Sequence, residues 1–379
     1  MNERSAPGWA GHAALVLASS TGGIGQHVAS LARGLVGLGV TVTVCGPAAT
    51  EELFGFTAAG ARFRPLEIPA NIRPGDARTV GALRRALTEA GAEVVHAHGL
   101  RAGFVATVAR TGLPLVVTWH NAALSRGLRA PLHRLLERVV ARGADVTLGA
   151  SADLVARAQA LGARDARLGE VAAPSLPAPR RTRAAVRAEF GVAADVPLVL
   201  SVGRLHPQKR YDLLVDAAAR WRQRQPAPHV VIAGSGPSYL ELAARISEAR
   251  APVTLLGHRT DVADLLLGAD LAVVTSDWEA RQLFAQEALT AGTALVATDV
   301  GGVPGLVGDA ALLVPPGDVD AVDAGVRRLL DDADLRAAYA ERGRARAATW
   351  PTEAQAVAAV RGIYAEVGAA HERSTSGRR

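Results

Sequence analysis

The chain has 379 residues, 49% of them hydrophobic and 21% charged. This balance excludes a disordered protein and allows roughly two or three domains. The net charge of +6 comes from arginine, because Lys209 is the single lysine. No basic run is interleaved with aromatic residues, so we do not expect nucleic-acid binding.

One cysteine, Cys45, excludes a disulfide framework and a cysteine-based metal site. No apolar run reaches the roughly 18 residues that cross a bilayer. The first residues lack the pattern of a signal peptide. These features predict a cytoplasmic enzyme or binding protein.

Short apolar runs alternate with helical patterns in the first half of the chain. The predicted elements are a helix at 25–38 and strands at 13–18, 40–44, 94–97, 115–118 and 146–148. Apolar strands separated by helices are typical of a parallel sheet covered on both faces. We therefore predict a doubly wound, Rossmann-like first domain over residues 1–178.

A proline-rich linker at 172–183 interrupts this alternation, which then restarts. Strands are predicted at 197–203, 229–234, 253–257, 270–276, 294–299 and 311–315. They form a second doubly wound domain over 184–350, and a helix at 352–367 is expected to pack back on the first domain before a disordered tail at 368–379. Ligands of such α/β sheets bind beyond the carboxyl ends of the strands, so we expect a site in the cleft between the domains.

The segment SSTGGIGQHV, at 19–28, follows the first strand. Its glycines would let the backbone approach a phosphate at a helix N-terminus. A nicotinamide dinucleotide site is disfavoured, because the spacing is not G-x-G-x-x-G and no acidic residue ends the second strand. A tight turn without a ligand explains the segment about equally well.

Two cations, Arg204 and Lys209, lie in the segment VGRLHPQK between a strand and the helix that they are predicted to enter. Such a pair suits a diphosphate, although solvated surface charge is the usual role of these residues. Lys209 is the single lysine in a chain that otherwise uses arginine, and this favours a diphosphate-binding role for the pair.

Two acids, Glu279 and Glu287, lie in the segment SDWEARQLFAQEALTAG, the first in a predicted loop and the second in the predicted first turn of a helix. Both can accept hydrogen bonds from sugar or ribose hydroxyls. An acid that complements the helix dipole is the simpler explanation of Glu287 taken alone.

Histidines end two of the predicted strands: His96 and His98 in HAHG, and His120 in TWHN. The HxH pair suggests a metal, but no third ligand is apparent nearby, so we expect cleft-wall or core histidines. Asp318 and Asp320 form a D-x-D pattern that is better explained by a turn and a helix N-cap.

Residues 126–142 form a basic amphipathic segment with arginines opposite an apolar face. The apolar face comprises Leu128, Leu132, Leu135, Leu136, Val139 and Val140. A surface helix packed on the core is the expected role, and contact with an anionic membrane or a lipid-linked acceptor is the alternative.

The ordered set of motifs resembles that of the retaining glycosyltransferases of family 4, which have the GT-B fold. The set comprises GGIGQHV, HAHG, TWH, VGRLHPQK, AGSGP, the E-x7-E pair and ATDVGGVPG, over nearly the whole chain. The resemblance implies metal-independent transfer of a sugar from a nucleoside-diphosphate donor to an acceptor, with retained configuration. Alternatives on the same fold are a nucleotide-sugar epimerase, a phosphorylase and a non-catalytic nucleotide-sugar-binding protein.

The resemblance also implies roles for individual residues. Arg204 and Lys209 would hold the donor diphosphate. Glu279 would contact the donor sugar and Glu287 the ribose, while His120 would lie beside the reacting centre. The other residues implied in donor binding are Gly22, Gly23, Gly203, Gly234, Gly236, Arg259, Ala280, Arg281, Gln282 and Leu283.

The sequence departs from the family pattern after Glu279, where Ala-Arg-Gln stands in place of the common Pro/Gly-Phe-Gly. We hypothesise that Arg281 adds a contact to an acidic sugar or to a phosphate.

Overall fold

The computed structural model describes residues 9–20, 22–69, 76–122, 130–172 and 176–376. The chain divides into two compact units. Unit 1 contains residues 1–172 and 351–379, and unit 2 contains residues 173–350. The division falls in the proline-rich segment, shortly before the predicted end of the first domain at 178.

Unit 1 alternates strands with helices. Its strands are β1 (His12–Leu17), β2 (Thr41–Gly46), β3 (Arg62–Pro65), β4 (Val94–His98), β5 (Leu115–Trp119), β6 (Val146–Gly149) and β7 (Ala166–Leu168). The helices of its first segment are α1 (Gly23–Gly37), α2 (Ala48–Phe54), α3 (Asp76–Ala90), α4 (Leu100–Ala109), α5 (Ala130–Gly143) and α6 (Ala152–Ala160).

The strands of unit 1 form one parallel sheet in the order β3-β2-β1-β4-β5-β6-β7. The central strands β1, β4 and β5 are buried along their whole length. Helices that cover both faces of a sheet remove its strands from water, which explains the uninterrupted apolar runs at 13–17, 94–95 and 115–117.

Two strands, β3 and β7, lie outside the predicted set. They form the two edges of the sheet, and their short sequences RFRP and ARL are largely exposed or half-buried. An edge strand does not need apolar residues on both faces, so it leaves no apolar run in the sequence.

Unit 2 repeats this architecture and contains all six predicted strands. Its strands are β8 (Leu198–Val202), β9 (His229–Ala233), β10 (Val253–Gly257), β11 (Leu271–Val274), β12 (Leu295–Thr298) and β13 (Leu312–Val314). Its helices are α7 (Arg183–Glu189), α8 (Tyr211–Trp221), α9 (Tyr239–Ala249), α10 (Val262–Gly268), α11 (Leu283–Ala291), α12 (Val303–Val307), α13 (Val319–Asp331) and α14 (Ala333–Ala347).

The sheet of unit 2 is also parallel, in the order β10-β9-β8-β11-β12-β13. Separate apolar clusters cover its two faces, one packed against α7, α10 and α11 and the other against α8 and α13. In each unit the strand order reverses beside the first strand, between β1 and β4 and between β8 and β11. Open α/β sheets bind ligands beyond the carboxyl ends of the strands at such reversal points.

The last helix, α15 (Glu353–Ser376), belongs to unit 1. Its Val357, Val360 and Tyr364 join the same apolar cluster as Leu31 and Leu35 of α1. The phenol of Tyr364 is fully buried and lies 2.7 Å from Nδ1 of His96. The helix is thereby attached to the first sheet by apolar packing and by one buried polar contact.

The predicted disordered tail at 368–379 is wrong for residues 368–376, because α15 continues to Ser376. Ala369 and Ala370 favour a helix, and Oγ1 of Thr375 donates back to the carbonyl of His371 at 3.1 Å. Residues 377–379 lie outside the described residues.

The D-x-D pattern forms a helix start, as predicted. Oδ1 of Asp318 accepts a hydrogen bond from the backbone amide of Ala321 at 3.0 Å and caps α13. Asp320 forms an ion pair with Arg220.

Candidate functional site

Three loops of unit 2 meet beyond the carboxyl ends of β8, β11 and β12. The loop after β8 contains a single 3₁₀ turn, Pro207–Lys209, and α8 begins only at Tyr211. Lys209 therefore ends a short turn and does not enter the helix directly, which corrects the sequence expectation. Pro207 favours this turn because its ring fixes φ.

Hydrogen bonds tie the turn to the loop after β11. The amide nitrogen Nε2 of Gln208 donates to the carbonyl of Trp278 at 2.6 Å. The backbone amide of Asp277 donates to the carbonyl of Gln208 at 2.8 Å, and Oγ1 of Thr275 donates to the carbonyl of Lys209 at 2.9 Å. These bonds hold the two loops in one arrangement.

Lys209 and Glu279 are 70 residues apart in the chain and form an ion pair, with Nζ donating to Oε1. Oγ of Ser276 donates to the same carboxylate oxygen at 2.6 Å. The side chains of the pair are only 20% and 12% exposed, respectively. The amide of Gly302, in the loop after β12, donates to the carbonyl of Glu279 at 2.8 Å. An ammonium and a carboxylate are thus fixed together beside the reversal point of the second sheet.

Ser276, Gln208 and Gly302 are the residues of this arrangement that the sequence analysis misses. Each lies within or beside a motif that was recognised, and Ser276 precedes Glu279 by three positions. The contacts of Gln208 and Gly302 join separate loops, so the motif spacing carries no signal for these two residues.

Glycines at the ends of β8 and β9 are required by close backbone packing. A Cβ atom at Gly234 would lie 1.9 Å from the carbonyl oxygen of Gly203, and one at Gly236 would lie 2.3 Å from that of Leu205. A Cβ at Gly203 would lie 2.8 Å from the hydroxyl of Tyr211. These contacts explain the three glycines structurally, and their contact with a donor stays a prediction.

The two predicted arginines in neighbouring loops have different surroundings. Arg204 is exposed, and its side chain has no hydrogen bond or ion pair among the described residues. Arg259 contacts Asp261 and Glu189 at 2.6–2.7 Å. These carboxylates raise its pKa further above the ordinary arginine value. Arg259 therefore links α7 to the start of α10, while Arg204 remains available to an anion.

Glu287 does not lie in the first turn of its helix, as the sequence analysis expected. α11 starts at Leu283 and has no acidic residue in its first turn. Burial raises the pKa of the Glu287 carboxyl to about 7. The helix-dipole explanation is therefore wrong for this residue, which instead holds a carboxyl in a half-buried and desolvating position.

The segment that departs from the family pattern forms the start of α11. Oε1 of Gln282 accepts from the amide of Ala285 at 3.0 Å and caps the helix, while Ala280 is buried and Leu283 half-buried. Cap hydrogen bonds of this kind satisfy an amide that has no partner within the helix. This segment therefore has a structural role in starting α11.

Arg281 is held within unit 2 by its own neighbours. Its Nε donates to Oε1 of Gln286 at 3.0 Å, and its guanidinium lies 5.9 Å from the ring centroid of Trp350. Burial, and then the charge of Arg346, lower its pKa to about 10. Nη2 is buried and has no hydrogen-bond partner among the described residues. The two N–H donors of Nη2 are therefore left for the anion contact that we hypothesise.

Histidines of unit 1 converge beside the reversal point of the first sheet. Nδ1 of His98 lies 3.3 Å from Nε2 of His120, and the ring of His27 on α1 packs against both, with centroids 5.5 and 5.2 Å away. The expectation that no third histidine lies near the HxH pair is therefore wrong. His27 belongs to the glycine-rich motif, and only the position of α1 beside β4 brings it to His98.

His96 has a structural role. Its two ring nitrogens each lie 2.7 Å from a hydroxyl oxygen, that of Tyr364 and that of Thr118. Burial, together with the nearby His27, lowers the pKa of His96 to about 3. It is a neutral core histidine.

The glycine-rich loop of unit 1 leads directly into α1. Gly22 is the N-cap, Gly23 is the first helical residue, and Oγ of Ser20 accepts from the amide of Gly25 at 3.2 Å. The first turn of α1 has no acidic residue. The amides at this end of the helix can therefore face an anion, as the sequence analysis expects.

Comparison with known proteins identifies the family to which this chain is similar. Residues 182–346 match the family model described as Glycosyl transferases group 1, and residues 22–172 match the Glycosyl transferase 4-like domain. The chain is 33% identical to a D-inositol 3-phosphate glycosyltransferase of Geodermatophilus obscurus, over 95% of this chain and 89% of that protein. It is 30% identical to the alpha-D-kanosaminyltransferase of Streptomyces kanamyceticus, over 91% of each chain.

Among solved structures, Anabaena HepE in complex with UDP is similar, with a TM-score of 0.77 and 20% identity, over 92% of this chain and 98% of that chain. The structural similarity supports the fold of the chain, whereas the sequence relatives support its activity. The chain therefore belongs to the family-4 glycosyltransferases and is a glycosyltransferase with the GT-B fold.

Proposed function

We propose that the protein transfers a sugar from a nucleoside-diphosphate donor to an acceptor, with retention of configuration and without a metal. The observation that carries this proposal is the Lys209–Glu279 pair beside the reversal point of the second sheet. An ammonium suits a diphosphate and a carboxylate suits sugar hydroxyls. The complexes of Anabaena HepE with UDP and with UDP-glucose support a donor of this class.

In the proposed reaction the bond between the anomeric carbon and the diphosphate oxygen breaks as the acceptor oxygen bonds to the same carbon. Negative charge then grows on the departing diphosphate. Lys209 and the exposed Arg204 would stabilise that charge, the kind of electrostatic effect often worth several kcal/mol. Donor binding would move the Lys209 ammonium from Glu279 to the diphosphate and free the carboxylate for the sugar hydroxyls.

Retention requires the acceptor to attack from the side that the diphosphate leaves. The departing phosphate oxygen can take the acceptor proton, so no second carboxylate is needed as in glycoside hydrolysis. His120 is kept neutral by burial, which lowers its pKa well below the ordinary value. In that state it can form a hydrogen bond with a sugar hydroxyl.

A thermal shift experiment tests the donor site. UDP, GDP, ADP and their common sugars are added to the pure protein with and without EDTA. We expect the nucleotides of one base to raise Tm, unaffected by EDTA, because a ligand at 100 times its Kd stabilises the folded state by about 2.7 kcal/mol.

The same samples separate the alternatives. No shift with any nucleotide would contradict a donor site, and a shift abolished by EDTA would contradict metal independence. Release of nucleoside diphosphate only with an added acceptor supports a transferase. Turnover without an acceptor indicates an epimerase, dependence on free phosphate indicates a phosphorylase, and binding without turnover indicates a sensor.

The described residues contain no helix long and apolar enough to cross a membrane.

We also propose that α5 contacts an anionic membrane surface. Leu136 and Val140 are buried, whereas Leu132 and Leu135 are 50% and 56% exposed. The exposed Arg134 and Arg138 lie on the same helix. Exposed leucines beside arginines are typical of helices that lie in the interface of anionic bilayers. Residues 126–129 of the predicted amphipathic segment lie outside the described residues.

We expect the protein to co-sediment with phosphatidylglycerol vesicles and less with phosphatidylcholine vesicles. Leu132→Glu combined with Leu135→Glu should reduce the bound fraction at least threefold, because it removes apolar area and adds negative charge. The matched control is Leu240→Glu, at a 79% exposed leucine of unit 2. An equal loss in both variants, or none in the α5 variant, would disprove the assignment.

A further inference from the structure

Three histidines of unit 1 converge from three different elements. His27 lies on α1, His98 ends β4 and His120 follows β5. One ring nitrogen of each lies within 4.8 Å of the corresponding atoms of the other two. They surround the point where the strand order of the first sheet reverses. In open α/β sheets this point is where ligands bind.

Hydrogen bonding within this cluster is incomplete. Both nitrogens of the neighbouring His96 have hydroxyl partners at 2.7 Å. In contrast, Nε2 of His98 is buried and has no hydrogen-bond partner among the described residues. A buried polar atom without a partner costs free energy, so the hydrogen bonds among the described residues do not satisfy His98.

The spacing of the nitrogens suits a tetrahedral ion. Zinc binds histidine nitrogen at about 2.0–2.1 Å, so two such ligands in a tetrahedral site lie about 3.3–3.4 Å apart. Nδ1 of His98 and Nε2 of His120 are 3.3 Å apart, and these two atoms would bind the ion in place of the hydrogen bond between them. A ring nitrogen of the half-buried His27 lies within 4.8 Å of the ligand atoms of the other two histidines and completes the set.

We propose that His27, His98 and His120 bind one divalent transition-metal ion of the zinc class, with water or an anion as the fourth ligand. The three ligands belong to unit 1, whereas the proposed donor residues Lys209 and Glu279 belong to unit 2. The proposed sugar transfer does not use the ion. An ion bound to His120 would occupy the nitrogen that is proposed to meet a sugar hydroxyl, so the metal would inhibit transfer.

The full chain is first stripped with EDTA and dialysed, and then titrated with Co²⁺, followed by the visible absorption of tetrahedral cobalt. Zn²⁺ is titrated separately by calorimetry. We expect one ion per chain, and binding at least tenfold weaker in His27→Gln and in His120→Gln. Both residues are half-buried, so the variants should fold, and circular dichroism with Tm checks this.

The matched control is His258→Gln, at an exposed histidine of unit 2, which should bind the ion as tightly as the natural chain. The absence of stoichiometric binding would overturn the proposal, as would unchanged affinity in both cluster variants. The binding measurement needs neither donor nor acceptor. Its failure is therefore distinguishable from failure of the proposed sugar transfer.

Discussion

The Lys209→Ala variant is expected to transfer sugar at least tenfold more slowly than the natural protein, and Glu279→Ala should show a similar loss. A tenfold loss corresponds to only about 1.4 kcal/mol of transition-state stabilisation. The Lys209 variant lacks the positive charge that is proposed to stabilise the departing diphosphate. The Glu279 variant lacks the carboxylate that is proposed to accept hydrogen bonds from the sugar. Initial rates at saturating and at limiting donor measure the effect on kcat and on kcat/KM.

Stability must be separated from catalysis in these variants, because each single change leaves one partly buried charge without its partner. The double variant Lys209→Met with Glu279→Gln removes both charges, so it should recover Tm without recovering activity. Arg222→Ala is the control, because this exposed arginine caps the far end of α8. Near-normal transfer by both single variants would refute the assignment of the site.

The Glu287→Gln variant is expected to be more stable than the natural protein above pH 7 and yet to bind the donor at least tenfold more weakly. Burial raises the pKa of this carboxyl from the ordinary 4.5 to about 7. The stability gain is at most about 3 kcal/mol for a shift of this size. The loss of affinity follows because an amide replaces the carboxylate that is proposed to accept a hydrogen bond from a ribose hydroxyl.

The pH dependence of the free energy of unfolding follows from whether the folded or the unfolded chain loses the Glu287 proton first. Between pH 4.5 and about 7 the unfolded chain has released the Glu287 proton, while the folded chain still holds it. The free energy of unfolding therefore falls as pH rises through this window and is constant above it, as far as this group is concerned. Glutamine carries no titrating proton, so the variant should lack this component.

Denaturant unfolding at pH 5 and pH 8 measures the stability difference, and calorimetry with the preferred nucleotide measures binding. The control is Glu248→Gln, at an exposed glutamate of α9, which should change neither quantity. Identical pH profiles for the Glu287 variant and the natural protein would contradict the buried-carboxyl interpretation. Unchanged donor affinity would contradict the ribose role.

The sequence alone determined the fold class and most of the strands. Buried strands such as β1 and β8 must be apolar at successive positions, and this requirement is visible in a few neighbouring residues. Edge strands β3 and β7 lack the requirement and were missed. The end of α15 was also missed, because the polar residues 371–376 resemble a disordered tail while still permitting a helix.

The sequence also determined which motifs carry charged and polar groups, among them Lys209, Glu279 and His98. Only the tertiary structure decided what these groups contact. Glu279 meets Lys209 because β8 and β11 are neighbours in the second sheet. His27 meets His98 because α1 follows β1, which pairs with β4. Periodicity is a property of neighbouring residues, whereas these contacts depend on strand order, which brings together loops that are far apart in the chain.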